Sequence, residues 1–278
     1  MTVEEPRRTR LAVLGSPIAH SRSPRLHEAA YRLLGLDWSY GREEVREGGL
    51  AGFLGGLDAS WRGLSLTMPL KPEALRASAT ASDVARETGA VNTLLLRGPA
   101  GPAGYNTDVY GIIRALRDGG VDAVDEVLVL GAGATARSVV SAVLRMGASG
   151  IVAAARRPDA AQELADYARG LGLRARTADL AATLAPGCGL VVNTIPGGVA
   201  AKLAFDPALM TGVLLEIAYD PWPSPLVARW EGPVVSGLDM LLHQAVAQVR
   251  IFVTGEAHSP LPEEPAILAA MRTALSAP

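Results

Sequence analysis

Apolar residues along this chain come in short runs that end at glycine or at a polar turn. In the second half such runs recur at residues 127–130, 150–155, 173–177, 189–194, 213–217 and 233–235, and segments of helical spacing separate them. The segment 134–146 places Val139, Val140, Val143 and Leu144 on one face and closes at Gly147, which predicts an amphipathic helix. Strand-like runs alternating with helices predict a parallel, doubly wound sheet. In the first half the pattern predicts strands at 11–14, 38–45, 63–67 and 91–97. Helices are expected at 24–34, with Ser23 as N-cap and Pro24 in the first helical position, and at 49–57. The Pro/Gly/Ala stretch 98–104 reads as a hairpin loop, and 109–116 as a helix stopped by Gly119-Gly120. Two long helices, 238–254 and 265–276, close the chain and are expected to pack back on its first part.

Residues 127–136 read Val-Leu-Val-Leu-Gly-Ala-Gly-Ala-Thr-Ala, an apolar strand ending in G-x-G-x-x-A. In this motif Gly131, Ala132 and Gly133 make a tight turn and let a pyrophosphate approach the backbone. Ala134, Thr135 and Ala136 open the helix whose positive end receives it. A strand-to-helix turn with no ligand is the plainer alternative. The next strand ends in Arg156-Arg157, where an NAD site usually carries an acidic residue. Two guanidinium forks there suit a 2′-phosphate, which favours NADP over NAD, although Asp159 could pair with either arginine. A nucleotide loop this far along the chain leaves the preceding residues to form another domain that holds the cofactor's reaction partner. The expected fold class is α/β and two-domain, an N-terminal α/β substrate domain plus a Rossmann-type doubly wound parallel sheet. The boundaries are 1–107, completed by 238–278, and 108–237.

Length and charge agree with that division. The chain has 278 residues, long for one compact domain, and a hydrophobic content of 49% that supplies two cores. Its 26 basic and 28 acidic residues give a net charge of -2, so nothing suggests nucleic acid or an anionic membrane as partner. Cys188 stands alone, His20, His27, His243 and His258 are scattered, and no metal-ligand spacing occurs, which points to a reducing cytoplasm and no metal. The apolar run after Arg7-Arg8 is too short for a twin-arginine signal, and no run approaches the roughly 18 residues of a membrane span.

Ahead of the glycine loop, Thr67 and Lys71 in Thr-Met-Pro-Leu-Lys, Asn92 in Gly-Ala-Val-Asn-Thr and Asp108 in Asn-Thr-Asp fall at predicted strand ends, where open α/β sheets bind ligands. Reducing a carbonyl creates negative charge on oxygen, which calls for a cation that also donates a proton. Lys71 can be both, with Asp108 to hold it and with Asn92 and Thr67 as donors. Taken singly, Lys71 would be a solvated surface residue and Asp108 a helix N-cap.

These segments resemble the shikimate dehydrogenase family. The similarity runs through Ser16 to Pro24, Thr67 to Lys71, Gly89 to Thr93, Asn106 to Asp108, Gly131 to Ala136, Asn193-Thr194, Tyr219 to Pro221 and Gly237 to Gln244 in order. The resemblance implies that Ser21 and Ser23 hold a substrate carboxylate with Tyr219 nearby, and that Thr67, Asn92 and Gln244 contact ring hydroxyls. It implies Lys71 and Asp108 as the catalytic pair and Gly131 to Ala136 with Arg156 as NADP contacts, and Arg157, Thr194 and Gly237 are expected to join them. The family reaction is the reversible reduction of 3-dehydroshikimate to shikimate in aromatic amino acid (chorismate) biosynthesis, in a cleft between the domains, by a monomer or homodimer. Ser65 stands where the family has Asn, Ala136 replaces the third glycine, and Arg157 adds a cation. The rivals are a quinate/shikimate dehydrogenase using NAD, a relative acting on an amino-substituted ring, and a non-catalytic shikimate or nucleotide sensor.

Overall fold

The computed structural model describes residues 8–98, 100–184 and 187–276. It divides into two compact units, residues 1–107 with 244–278, and residues 108–243.

The first unit opens with β1 (Thr9–Gly15), α1 (Ser23–Leu33), β2 (Trp38–Glu44), α2 (Leu50–Gly55) and β3 (Trp61–Leu66). Then come α3 (Lys71–Ala77), β4 (Thr80–Ala81), α4 (Asp83–Thr88), β5 (Thr93–Gly98) and β6 (Gly101–Tyr105). Its six strands are ordered β2-β1-β3-β5-β6-β4. β1 runs parallel to β2 and β3, whereas β5 is antiparallel to both β3 and β6. The inner strands are apolar on both faces, as a covered sheet requires, and Leu11, Leu14, Leu64 and Leu94 are fully buried. The C-terminal α10 (Glu264–Ser276) packs on α1, whose Leu26, Ala30 and Tyr31 are buried, and the Arg22 guanidinium donates to Leu275 O at 3.2 Å.

Several local features depart from the sequence pattern. α1 begins at Ser23 itself; Arg22 is the N-cap residue and no side chain caps the helix, so Ser23 is not the cap. Much of the expected loop at 98–104 is strand, because Gly101–Tyr105 pairs with β5. Residues 71–88, where the sequence pattern predicts no element, hold two helices of seven and six residues, too short to repeat an apolar face. The second of these is signalled by its cap, the Ser82 hydroxyl accepting from Ala85 N at 3.2 Å.

The second unit contains α5 (Asp108–Asp118), β7 (Glu126–Leu130), α6 (Ala134–Arg145), β8 (Gly150–Ala154), α7 (Pro158–Gly170) and β9 (Arg174–Thr177). These are followed by β10 (Leu190–Asn193), α8 (Pro207–Met210), β11 (Val213–Glu216), β12 (Val234–Ser236) and the first turns of α9 (Gly237–Thr254). All six strands are parallel, in the order β12-β11-β10-β7-β8-β9. This is the Rossmann arrangement, whose order reverses between β7 and β10. Val127 to Leu130 and Ile151 to Ala154 are fully buried, the mark of a sheet covered on both faces. Within this unit His243 on α9 meets Asp118 on α5 at 2.8 Å. Among the described residues no helix is long and apolar enough to cross a membrane.

Candidate active site

Strand direction gathers the candidate residues of the first unit. β1 and β3 are parallel, so the Ser16 to Arg22 loop and the Thr67 to Leu70 turn leave the same edge of the sheet. β5 is antiparallel to β3, with Thr93 opposite Ser65, so its leading residue Asn92 lies at that edge too. β6 returns there, with Tyr105 opposite Thr93, and Asn106 and Thr107 follow.

Backbone bonds fix this edge. Thr67 N donates to Leu14 O at 2.9 Å, Leu70 N to Thr67 O at 2.8 Å, and Val91 N to Lys71 O at 3.1 Å. Lys71 therefore heads α3 beside the entry to β5, and it is 8% exposed rather than solvated. Ser21 and Ser23 are buried, and the loop carrying them is held by Arg42 Nε donating to Ser21 O at 2.8 Å. His27 Nδ1 donates to Ser23 O at 2.9 Å, and its ring stacks on Tyr40 at 3.9 Å. Burial lowers the His27 pKa from 6.5 to about 4.

Asn92, 2% exposed, has a fixed amide. Its Oδ1 accepts from Thr107 N at 2.9 Å and Thr93 Oγ1 at 2.9 Å, which turns Nδ2 toward Thr107 Oγ1 at 2.9 Å and Gln244 Oε1 at 3.4 Å. Held from its oxygen side, the amide presents N–H groups in one orientation only. Sequence reasoning did not find the partners that extend this network. The Tyr40 hydroxyl donates to Ser65 Oγ at 2.6 Å, Ser65 Oγ donates to Gln248 Oε1 at 3.0 Å, and Gln248 Nε2 donates to Asn92 O at 3.2 Å and Thr93 Oγ1 at 3.1 Å. Ser65 is thus engaged within the protein. A signal for Gln248 was present, since it follows Gln244 by four residues on α9 and shares its face.

The candidate cofactor residues lie in the second unit, at the carboxyl edge of its sheet. Gly131 has φ +100, its N donates to Ala154 O at 2.8 Å, and a β-carbon there would collide with the Thr194 hydroxyl. Thr194 is pinned in turn, its N and Oγ1 both donating to Leu130 O at 2.8 Å. Gly133 is the N-cap residue of α6; no side chain caps that helix, no acidic residue occupies its first turn, and a β-carbon on Gly133 would meet only open space. An uncapped helix start beside open space fits a pyrophosphate. Ala136 is fully buried, so its small side chain suits close helix packing. Arg156 and Arg157 are exposed just past β8, and Arg157 approaches Asp159 at 3.9 Å, a solvated contact of little strength. Gly237 packs against the backbone oxygens of Glu216 and Ile217, where a side chain has no room.

Asp108, 4% exposed, opens α5 and belongs to the second unit, as does the half-buried Tyr219 beyond β11. Glu216, which the sequence reading also missed, ends β11 and is 1% exposed. Asn193 Nδ2 donates to both of its oxygens, at 2.9 and 3.1 Å, Ala218 N donates to Oε1 at 3.1 Å, and Ser224 Oγ donates to Oε2 at 3.1 Å. Burial raises its pKa, and these hydrogen bonds oppose the rise.

Comparison with known proteins bears on this arrangement. Residues 13–94 match the model of the shikimate dehydrogenase substrate binding domain. The chain is 38% identical over 265 residues to the shikimate dehydrogenase (NADP(+)) of Methylobacterium radiotolerans, covering 88% of this chain and 90% of that protein. It is similar to the crystal structure of Mycobacterium tuberculosis shikimate dehydrogenase, with a TM-score of 0.82, 41% identity and coverage of 95% of this chain and 99% of that one. Shikimate 5-dehydrogenase from Thermus thermophilus, solved in complex with NADP(H) and shikimate, gives a TM-score of 0.80 at 33% identity over 96% of this chain and 99% of that one. With this identity over most of its length, the chain belongs to the shikimate dehydrogenase family.

Proposed function

We propose that this protein catalyses the reversible, NADPH-dependent reduction of 3-dehydroshikimate to shikimate, in the pathway to chorismate and the aromatic amino acids. The observation that carries the reading is Lys71, a lysine buried at a sheet edge beside the oriented amide of Asn92, in a chain whose other unit ends a strand in a nucleotide-type glycine turn. A lysine side chain largely buried by the fold suits a charge that develops during reaction.

Bound NADPH supplies the hydride. Lys71 stabilises and protonates the alkoxide oxygen that forms on the ring, and in the reverse direction it accepts the hydroxyl proton. Asp108 completes the pair as its carboxylate. Ser21 and Ser23 hold the ring carboxylate with Tyr219, while Thr67, Asn92 and Gln244 position the hydroxyls. Gly131 to Ala136 with Thr194 and Gly237 cradle the cofactor, and Arg156 and Arg157 meet its 2′-phosphate, which NAD lacks. The protein acts in the cytoplasm, and its assembly is a monomer or a homodimer.

The test is nicotinamide absorbance with shikimate and with quinate, each offered NADP⁺ and NAD⁺. Reduction of NADP⁺ with shikimate at the highest kcat/KM is the expected result. Preference for NAD⁺ with quinate would transfer the chain to the quinate reading, and no turnover at high protein concentration would leave a ligand-binding sensor.

A further inference from the structure

The carboxyl edge of the second sheet holds a buried acid that the reaction above does not use. A carboxylate withdrawn from water is costly unless donors satisfy it. Those of Glu216 come from three chain segments, through Asn193 Nδ2, Ala218 N and Ser224 Oγ. The constraint is passed on at each of them. Asn193 Oδ1 accepts from Ile195 N at 3.1 Å, which fixes the turn after β10, and the intervening Thr194 is bonded to Leu130 O against Gly131. Ala218 immediately precedes Tyr219, and Ser224 Oγ accepts from Val227 N at 3.2 Å, which closes the loop after β11. One side chain thus ties the exits of β11 and β10 together and, through Thr194, to the exit of β7. Those exits flank the point where the strand order reverses.

A dinucleotide spans that point with one half on each side. Arg156 and Arg157, beyond β8, mark the side of the adenosine 2′-phosphate, so the exits of β10 and β11 face the nicotinamide half. We propose that Glu216 is a positioning residue for the nicotinamide half of the cofactor, its carboxylate holding the 193–195 and 217–219 segments in register before the nucleotide arrives. The inference rests on the reading of the second unit as the NADP-binding one.

Calorimetric titration of wild type, Glu216→Gln and Asn193→Ala with NADP⁺, with adenosine 2′,5′-bisphosphate and with shikimate tests it. Gln keeps the volume but turns an NH₂ toward groups that already donate. A flip of Asn193 to meet it would leave Ile195 N without its acceptor. The expected result is an NADP⁺ Kd raised about tenfold in Glu216→Gln, from one buried polar contact left unmade. The bisphosphate, which lacks nicotinamide, and shikimate should bind as they do to wild type. A double variant should be no weaker than the worse single one, because both act through one link. Unchanged NADP⁺ affinity overturns the proposal, and so does equal weakening of NADP⁺ and the bisphosphate, which would mean general loss of structure. If Glu216→Gln does not fold, Asn193→Ala decides by the same criteria. Failure of wild type to bind NADP⁺ at all would instead remove the reading on which the proposal stands.

Discussion

The two six-stranded sheets present functional groups at an edge by different means. In the second unit all strands are parallel, so every carboxyl end falls on one side, and the candidate ligand surface is largely backbone: a glycine turn, an uncapped helix start and strand exits braced by Glu216. In the first unit the β5–β6 hairpin reverses direction and delivers Asn92 and Thr107 to the edge from the opposite sense. The groups there are side chains, and Asn92 is oriented by the Thr93 hydroxyl and the Thr107 backbone N–H, both donating to its Oδ1. A phosphate can be met by repeating N–H groups, whereas a polyol ring needs donors and acceptors at unequal positions. The contrast teaches that the cofactor unit should lose affinity stepwise, and that the substrate unit should lose chemistry abruptly.

The largest expected effect breaks the first unit at its cation. Lys71→Ala should lower kcat by about 10²- to 10⁴-fold with little change in KM for shikimate, because it removes an interaction made in the transition state. Steady-state rates on a variant with unchanged circular dichroism check this. The corresponding break in the second unit is smaller. Arg156→Ala with Arg157→Ala should reduce the NADP⁺ preference over NAD⁺ by about 10- to 100-fold, the scale of one or two charge-assisted contacts, as read from the two kcat/KM values.

A third effect concerns stability rather than rate. His27 is buried beneath the Ser23 turn, and its Nε2 has no hydrogen-bond partner among the described residues, so protonation would bury an unpaired charge. Its folded pKa of about 4 lies below the unfolded 6.5, so the unfolded chain binds the proton first as pH falls. Stability should therefore be whole above pH 6.5 and decline through the interval down to about 4, by up to about 3 kcal/mol. Denaturant melts of wild type and His27→Phe at pH 7.5 and 5 should show the smaller dependence in the variant, since Phe keeps the stack on Tyr40. The finest probe is Tyr40→Phe, which removes the donor to Ser65. It should cost about 1 kcal/mol of stability and change KM for shikimate less than about threefold.

Much of this was legible in the sequence, for reasons that differ between the units. Parallel strands buried on both faces read as unbroken apolar runs, so the second sheet and its glycine turn could be traced directly. Lys71 could be named because it follows a strand end, but its burial is tertiary and invisible in sequence. α3 and α4 are too short for periodicity, and Gly101–Tyr105 carries little apolar pattern because its residues pair rather than pack. Ser23 looked like a cap because Pro24 follows it, yet the helix includes it and its carbonyl serves His27. Glu216 left one trace: an acid closing the run Val-Leu-Leu on a strand of a doubly covered sheet must be buried, and a buried acid needs named donors.

The most direct test of the central claim follows the hydrogen itself. Shikimate deuterated at the carbinol carbon that becomes the ketone should pass its label to NADP⁺ on oxidation, giving monodeuterated NADPH by mass spectrometry and 3-dehydroshikimate without that deuteron. Unlabelled NADPH, with the deuterium lost to water, would contradict a direct hydride transfer between the two molecules.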